Sequence, residues 1–286
     1  MIEVLRAGPL TTVQDQGRPG WAHLGVPRSG ALDPGALRLA NRLAGNPEDA
    51  AGLEITLTGC VLRVTRAVTV ALTGAPTDVR IEHRGRRRPA DVGRPLALPA
   101  GAVLHVGPAR AGVRTWLAVG GGIAVAPVLG SRATDTLSGL GPPPLRDGDR
   151  LPLGAPAGPP PPVDLAVTRP VPDEVRLTVH PGPRHDWFAP GALDLLCRDA
   201  YTVGPDSNRV GARLAGAALP RARAGELPSE GLVLGAVQVP PDGQPLVFLA
   251  DHPTTGGYPV VGVVDDVTPL AQARPGTTVR FHGPQR

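Results

Sequence analysis

The sequence predicts a mainly β protein in two halves, with few short helices. Three observations carry that expectation. Glycine (38) and proline (36) make up about a quarter of the 286 residues and are spread throughout, roughly twice ordinary usage. Proline removes a backbone donor and clashes with the preceding turn, so long helices cannot survive that spacing. Between these breakers lie valine- and leucine-rich runs, and hydrophobic residues reach 41% while aromatics are only 3%. An aliphatic core is therefore available, which argues against disorder. Finally, residues 155–174 (APAGPPPPVDLAVTRPVPDE) carry a four-proline run that favours an extended, semi-rigid spacer. The expected division is an N-terminal β domain over 1–155, a proline-rich linker over 156–172 and a C-terminal β domain over 173–286.

The elements follow in chain order. Residues 33–46 (DPGALRLANRLAGN) have the parts of a helix: Asp33 as N-cap, Pro34 at the first position and Gly45 as terminator. Leu37, Ala40, Leu43 and Ala44 form its apolar stripe. Residues 61–74 (VLRVTRAVTVALTG) alternate apolar and polar positions, a strand pattern. The arginine run at 84–88 (RGRRR) reads as an exposed hairpin tip. Residues 101–122 read as strand, turn, strand and glycine-rich loop. A weaker helical pattern occupies 189–200. Residues 235–258 repeat the order of features seen at 101–122, which suggests either two related β units or a chance likeness between glycine-rich hairpins.

Composition excludes several chemistries. There are 29 basic and 25 acidic residues, a net charge of +4, and every basic residue is arginine. Arginine stays protonated at any relevant pH, so the isoelectric point of about 10.0 reflects residue type rather than a large basic surplus. With no aromatics interleaved in the arginine run, a nucleic-acid partner is not expected. Without lysine the chain offers no Schiff base, no P-loop lysine and no biotinylated lysine. Cys60 and Cys197 match no disulfide or CxxC pattern. No basic n-region with an apolar h-region opens the sequence, and no apolar run reaches the ~18 residues of a membrane span. A cytoplasmic protein with no membrane partner is the expectation. The seven histidines lack metal-ligand spacing, so no metal site is expected.

Four polar clusters remain. In residues 11–33 (TTVQDQGRPGWAHLGVPRSGALD), Gln14, Asp15 and Arg18 crowd a loop whose glycines would let backbone approach a ligand; the alternative is a turn in which Asp15 pairs with Arg18. In residues 129–141 (LGSRATDTLSGLG), Arg132 and Asp135 sit among hydroxyls, in a binding or a merely solvated loop. In residues 205–216 (PDSNRVGARLAG), with Glu230 downstream, Arg209 and Arg213 would present guanidinium forks to a carboxylate or phosphate, or form structural ion pairs. In residues 238–259, Gln238 precedes a strand ending in Asp251, followed by Thr254, Thr255, Gly256, Gly257 and Tyr258. Successive N–H groups there would form an anion-binding nest, where a plain hairpin needs neither the threonines nor the carboxylate.

Taken in order, TTVQDQGRPGWAHLGVPRSGALD, LANRLAGN, LEITLTG, LAVGGGIAVAPVLGSRATD, SNRVGARL, SEGLVLGAVQVPPDGQP and ADHPTTGGYP resemble the landmarks of one family. It contains the C component of 5-oxoprolinase, the carboxyltransferase domain of urea carboxylase (also labelled allophanate hydrolase subunit 2) and the Kip-type antagonist of a sporulation-kinase inhibitor. The likeness covers nearly the whole chain. It departs from the family where residues 139–149 (GLGPPPLRDGD) are short and proline-filled, where Val210 and Ala212 replace Met and Tyr, and where His252–Pro253 replaces Arg-Gln.

The resemblance implies two tandem cyclophilin-like β-barrels and a smaller, Kip-inhibitor-like partner, the B component. For 5-oxoprolinase it also implies a third chain, the A component. ATP would be used by the complex, and biotin would be supplied only by a partner chain. The expected activity is ATP-dependent opening of 5-oxoproline to glutamate. The alternatives are biotin-dependent carboxyl transfer to urea or a related amide, and a non-catalytic regulator that binds a Kip-type inhibitor. An anionic small-molecule substrate would be held by Gln14, Arg18, Arg132, Arg209, Arg213, Gln238 and residues 254–258. Asp15, Glu230 and Asp251 are the candidate acid–base groups.

Overall fold

The computed structural model describes residues 1–160, 162, 165–167, 170–225 and 227–284. It is mainly β, with two α-helices among the described residues. The chain divides into two compact units, one of Met1–Arg18 with Ser29–Val171 and the other of Pro19–Arg28 with Pro172–Arg286. The stretch Pro19–Arg28 lies before position 155 in sequence, yet it groups with the second unit.

The first unit is built from two antiparallel sheets. One runs Arg150–Leu151, Ile2–Arg6, Cys60–Val64, Val103–Ala109, Thr77–His83, Arg86–Ala90; the other runs Thr11–Gln14, Gly52–Thr56, Arg114–Val119, Val68–Gly74, Leu96–Leu98. Their inward residues, among them Val4, Leu53, Leu62, Leu72, Leu104 and Leu117, form one aliphatic core. Cys60 lies in it, and burial pushes its thiol up to about 12.

Helix α1 (Pro34–Leu43) covers the outer face of the second sheet. Asp33 caps it, accepting from the Ala36 N–H at 2.8 Å, and Gly45 follows it at φ +76°. Its Ala40 and Leu43 pack with Ala71 and Ala118 of the sheet. Arg114–Val119 is consequently buried at every position. That strand carries Trp116, whose Nε1–H donates to Glu54 Oε2 at 3.2 Å. A Cβ at Gly74 would stand 2.5 Å from the Trp116 ring, so only glycine lets the ring pass.

Residues 61–74, read as one strand from their alternation, form two, Cys60–Val64 and Val68–Gly74, in different sheets. The turn between them holds neither glycine nor proline, so nothing in the sequence announces it. The arginine run does form a hairpin tip: His83 pairs with Arg86 across Arg84–Gly85, both at positive φ, the geometry of a type I′ turn. Within the linker, Pro161, Val163, Asp164, Thr168 and Arg169 lie outside the described residues. The Gly158 and Pro159 carbonyls approach Gly45, and Ala166 donates to Gly93 O at 2.7 Å, so described parts of this segment pack on the first unit rather than spanning free.

The second unit closes as a barrel of Glu174–Pro181, Val260–Val264, Ala236–Gln238, Leu246–Phe248, Gly211–Ala215, Ala200–Val203 and Thr278–His282. Closure is completed by a parallel pairing of Glu174–Pro181 with Thr278–His282. Valines fill the interior with Tyr201 and Phe281, which meet edge to face at 5.9 Å. Helix α2 (Ala192–Arg198) is shorter than its sequence pattern and begins after Gly191 in the left-handed region. A two-stranded ribbon pairs Glu230–Gly231 with Thr255–Gly256.

The two segments with similar feature order differ in pairing. Ala236–Gln238 and Leu246–Phe248 are hydrogen-bonded neighbours, whereas Val103–Ala109 and Arg114–Val119 belong to separate sheets.

Candidate functional site

In the first unit the strand Thr11–Gln14 delivers its last residue and the following loop to residues 128–141. Gln14 is fully buried, and its Nε2 donates to Thr12 Oγ1 at 3.0 Å and Thr134 O at 2.9 Å. Asp15 accepts from Ser131 Oγ at 2.6 Å and the Gly17 N–H at 2.8 Å through Oδ1, and from the Arg132 N–H at 2.6 Å through Oδ2. It thus ties two loops together rather than pairing with Arg18. Arg18 is 1% exposed and donates through Nη2 to Ala133 O and through Nε to Val128 O at 3.4 Å. Arg132 turns its Nε to Val125 O at 2.8 Å. Asp135 holds the turn after it, accepting from the Leu137 and Ser138 N–H groups and from Ser138 Oγ.

In the second unit Arg209 and Asp251 form a two-pronged ion pair, Nε to Oδ2 and Nη2 to Oδ1 both at 2.9 Å, with both side chains buried. Arg213, on the strand Gly211–Ala215, is exposed. The two arginines therefore do not present a shared fork: one is committed to a carboxylate and the other faces solvent.

Glu230 is gripped by Arg184, whose Nε lies 3.0 and 2.9 Å from the two carboxylate oxygens and whose Nη2 also reaches Oε1. That hydrogen bonding holds the Glu230 carboxyl below the usual glutamate range and raises Arg184 further. Gln238 donates to Tyr258 O at 3.1 Å, and Arg221 lies 5.7 Å from the centre of the Tyr258 ring.

Residues 254–258 do not form the expected nest. Thr255–Gly256 is an extended ladder segment, and none of the five residues has φ in the left-handed region that a nest alternates with. Gly256 is needed for a different reason: a Cβ there would come 2.8 Å from Leu232 and 2.9 Å from Gln238 Nε2. A Cβ on Gly25 would stand 3.9 Å from Thr254 Oγ1, so the 3₁₀ turn Ala22–Leu24 that Gly25 ends lies close to this ribbon. Among the described residues no group of His, Cys, Asp and Glu is arranged to hold a metal ion. No helix of the described residues is long and apolar enough to cross a membrane.

Two polar clusters, one in each unit, are thus set out. Residues 24–283 match the family described as carboxyltransferase domain, subdomains A and B. The chain belongs to that carboxyltransferase family. It is 39% identical to the C component of 5-oxoprolinase from Escherichia coli K12, over 98% of this chain and 90% of that protein. The solved structure of TTHA0988 is 40% identical with a TM-score of 0.87, covering 98% of this chain and 55% of that one. The chain therefore spans about half the length of TTHA0988. The urea amidolyase of K. lactis gives a TM-score of 0.88 at 29% identity, covering 99% of this chain and 19% of that one.

Within the carboxyltransferase fold, sequence reading placed Gln14, Asp15 and Arg18 in one cluster and Arg132 and Asp135 in another, and the first unit brings the two together. It missed Ser131 and Thr134, whose roles depend on a backbone approach from residues about 120 positions away. In the second unit it missed Arg184 and Arg221. Arg184 follows a Gly-Pro turn 46 residues before Glu230, and only barrel closure joins them.

Proposed function

We propose that this carboxyltransferase-family chain is the C component of an ATP-dependent 5-oxoprolinase complex that opens 5-oxoproline to glutamate. The observation that carries the proposal is the 39% identity to a 5-oxoprolinase C component running through 98% of this chain and 90% of that one. The enzyme works in this reading with a smaller Kip-inhibitor-like B component and with the A component of the complex, in the cytoplasm. In this reading ATP is bound by a partner chain, in keeping with the lack of a phosphate-binding lysine here and of left-handed φ at residues 254–258.

Asp15 and Asp251 act here as positioning groups, since their oxygens are taken up by Ser131, Gly17, Arg132 and Arg209. Glu230, held ionised by Arg184, serves as a fixed negative charge or an acceptor rather than an acid. Arg213, exposed on the strand Gly211–Ala215, is available to a phosphoryl group or another anion of the complex.

The test is reconstitution with co-encoded partners and an assay of glutamate released from 5-oxoproline and ATP. Release that needs all components is expected; unchanged release when this chain is omitted sinks the proposal.

A second reading, biotin-dependent carboxyl transfer to urea or a related amide, draws on the superposition with urea amidolyase. Because the chain has no lysine, biotin would arrive on another polypeptide. Turnover that requires a biotinylated carrier, and not 5-oxoproline, would favour it.

A further inference from the structure

The first unit buries a positive charge that its own side chains leave unanswered. Arg18 is 1% exposed, its Nη1 has no hydrogen-bond partner, and it makes no ion pair among the described residues. The carboxylates of the two loops that meet here are committed elsewhere, Asp15 to Ser131, Gly17 and Arg132, and Asp135 to residues 137 and 138. The same cluster leaves two more buried atoms without partners, Gln14 Oε1 and Thr134 Oγ1. Gln14 and Arg18 bond the adjacent carbonyls of Thr134 and Ala133, so the unsatisfied groups share one locality. A desolvated cation and a desolvated acceptor are each expensive to leave unpaired, and native folds that keep such groups generally have a use for them.

We propose that Gln14, Arg18 and Thr134 form a recognition site for the amide or ureido group of a small ligand. The ligand's carbonyl oxygen accepts from Arg18 Nη1, its N–H donates to Gln14 Oε1, and the Thr134 hydroxyl completes the set. The donor and acceptor types select this group. A carboxylate would suit Arg18 but set a lone pair against Gln14 Oε1. An ammonium would suit Gln14 and be repelled by Arg18. An acceptor with an adjoining N–H satisfies both. The proposal deepens the 5-oxoprolinase reading, on which it rests for the biological ligand, a lactam.

Access runs past Gly141, where φ is +81° and a Cβ would collide with the Ala133 carbonyl and stand 3.2 Å from Arg18 Nη2. Residue 141 therefore packs over Arg18, and entry of a ligand requires this turn to move.

The experiment is saturation-transfer NMR on the full chain with 2-pyrrolidinone, N-methyl-2-pyrrolidinone and acetate as probes. The N–H lactam is expected to bind roughly tenfold or more tightly than its N-methyl analogue, the loss of one matched hydrogen bond in a buried site. Gln14→Met should erase that preference, and Arg18→Lys, which keeps charge without the fork, should weaken the lactam by a similar factor. Equal binding of the two lactams, no lactam binding, or displacement of pyrrolidinone by equimolar acetate overturns the proposal; the comparison of probes needs no variant to fold. Turnover by the reconstituted complex separates the two ideas. Lactam preference without 5-oxoproline turnover leaves this site standing and removes the 5-oxoprolinase reading. Turnover with an unchanged KM in the Gln14→Met complex does the reverse.

Discussion

Arg209 and Asp251 were expected to meet a ligand, and instead they meet each other. Both are buried, with two matched hydrogen bonds between them, so removing either partner leaves a desolvated charge. Arg209→Met or Asp251→Asn alone should cost about 3–5 kcal/mol in chemical unfolding of the full chain, while Arg209→Met with Asp251→Leu should recover most of it. Equal losses in singles and double would show that the pair's geometry, and not uncompensated charge, sets the cost. The residues themselves were legible as chemically unusual. Their partnership was not, because it depends on barrel register: Gly211 lies opposite Phe248, and the Asp251 N–H reaches Arg209 O at 3.0 Å. No local pattern encodes a pairing across 42 positions. Gln14 and Arg18 were legible for the opposite reason, since glycine punctuation concentrated them in one short loop.

Local elements were readable wherever a stop signal exists. Asp33, Pro34 and Gly45 bracket helix α1, and Arg84–Gly85 makes its hairpin, because caps and primed turns demand particular residues. The break at Thr65–Ala67 carries no such residue and was invisible. Glycines at 256 and 257 signalled a special backbone, but the need at Gly256 is space beside Leu232 and Gln238, not a left-handed φ. Gly256→Ala should therefore open the ribbon, speeding amide exchange at Gly231 and Thr255 about tenfold while leaving the barrel strand Glu174–Pro181 protected. Slow exchange throughout would contradict that account.

The ribbon is also where pH should act. The Glu230 carboxyl sits below its ordinary 4.5 because Arg184 favours the ionised form, so the pair's support is complete above that value and disappears as pH falls through the lowered one. Ribbon amide shifts in an NMR titration should move below about pH 4.5 in the native chain and stay flat there in Glu230→Gln.

At the level of the whole molecule, composition alone foretold a mainly β fold with few helices, since prolines and glycines at this density leave little else. It could not reveal that Pro19–Arg28 groups with the second unit, because those ten residues look like their neighbours. The chain passes from one unit to the other after Arg18, after Arg28 and after Val171. A cut between Val171 and Pro172 consequently separates the sequence but not the units. Fragment 172–286 made alone should melt at a lower temperature than the same unit in the intact chain, and adding a peptide of residues 19–28 should restore part of the difference. A fragment that melts as the intact unit does would show that this segment adds nothing to it.

The arginines of the Thr77–His83/Arg86–Ala90 hairpin have a consequence for life in a crowded solution. Arg86–Ala90 is the last strand of its sheet and is exposed along nearly its whole length, the kind of border on which copies of a protein zip together into aggregates. Guanidinium groups at 84, 86 and 88 set like charge against like in any such encounter, and Pro89 supplies no N–H to stitch with. That electrostatic fence reaches about 8 Å at physiological ionic strength and shrinks to about 3 Å in molar salt, so brine, more than heat, is what would invite this border to recruit a neighbour.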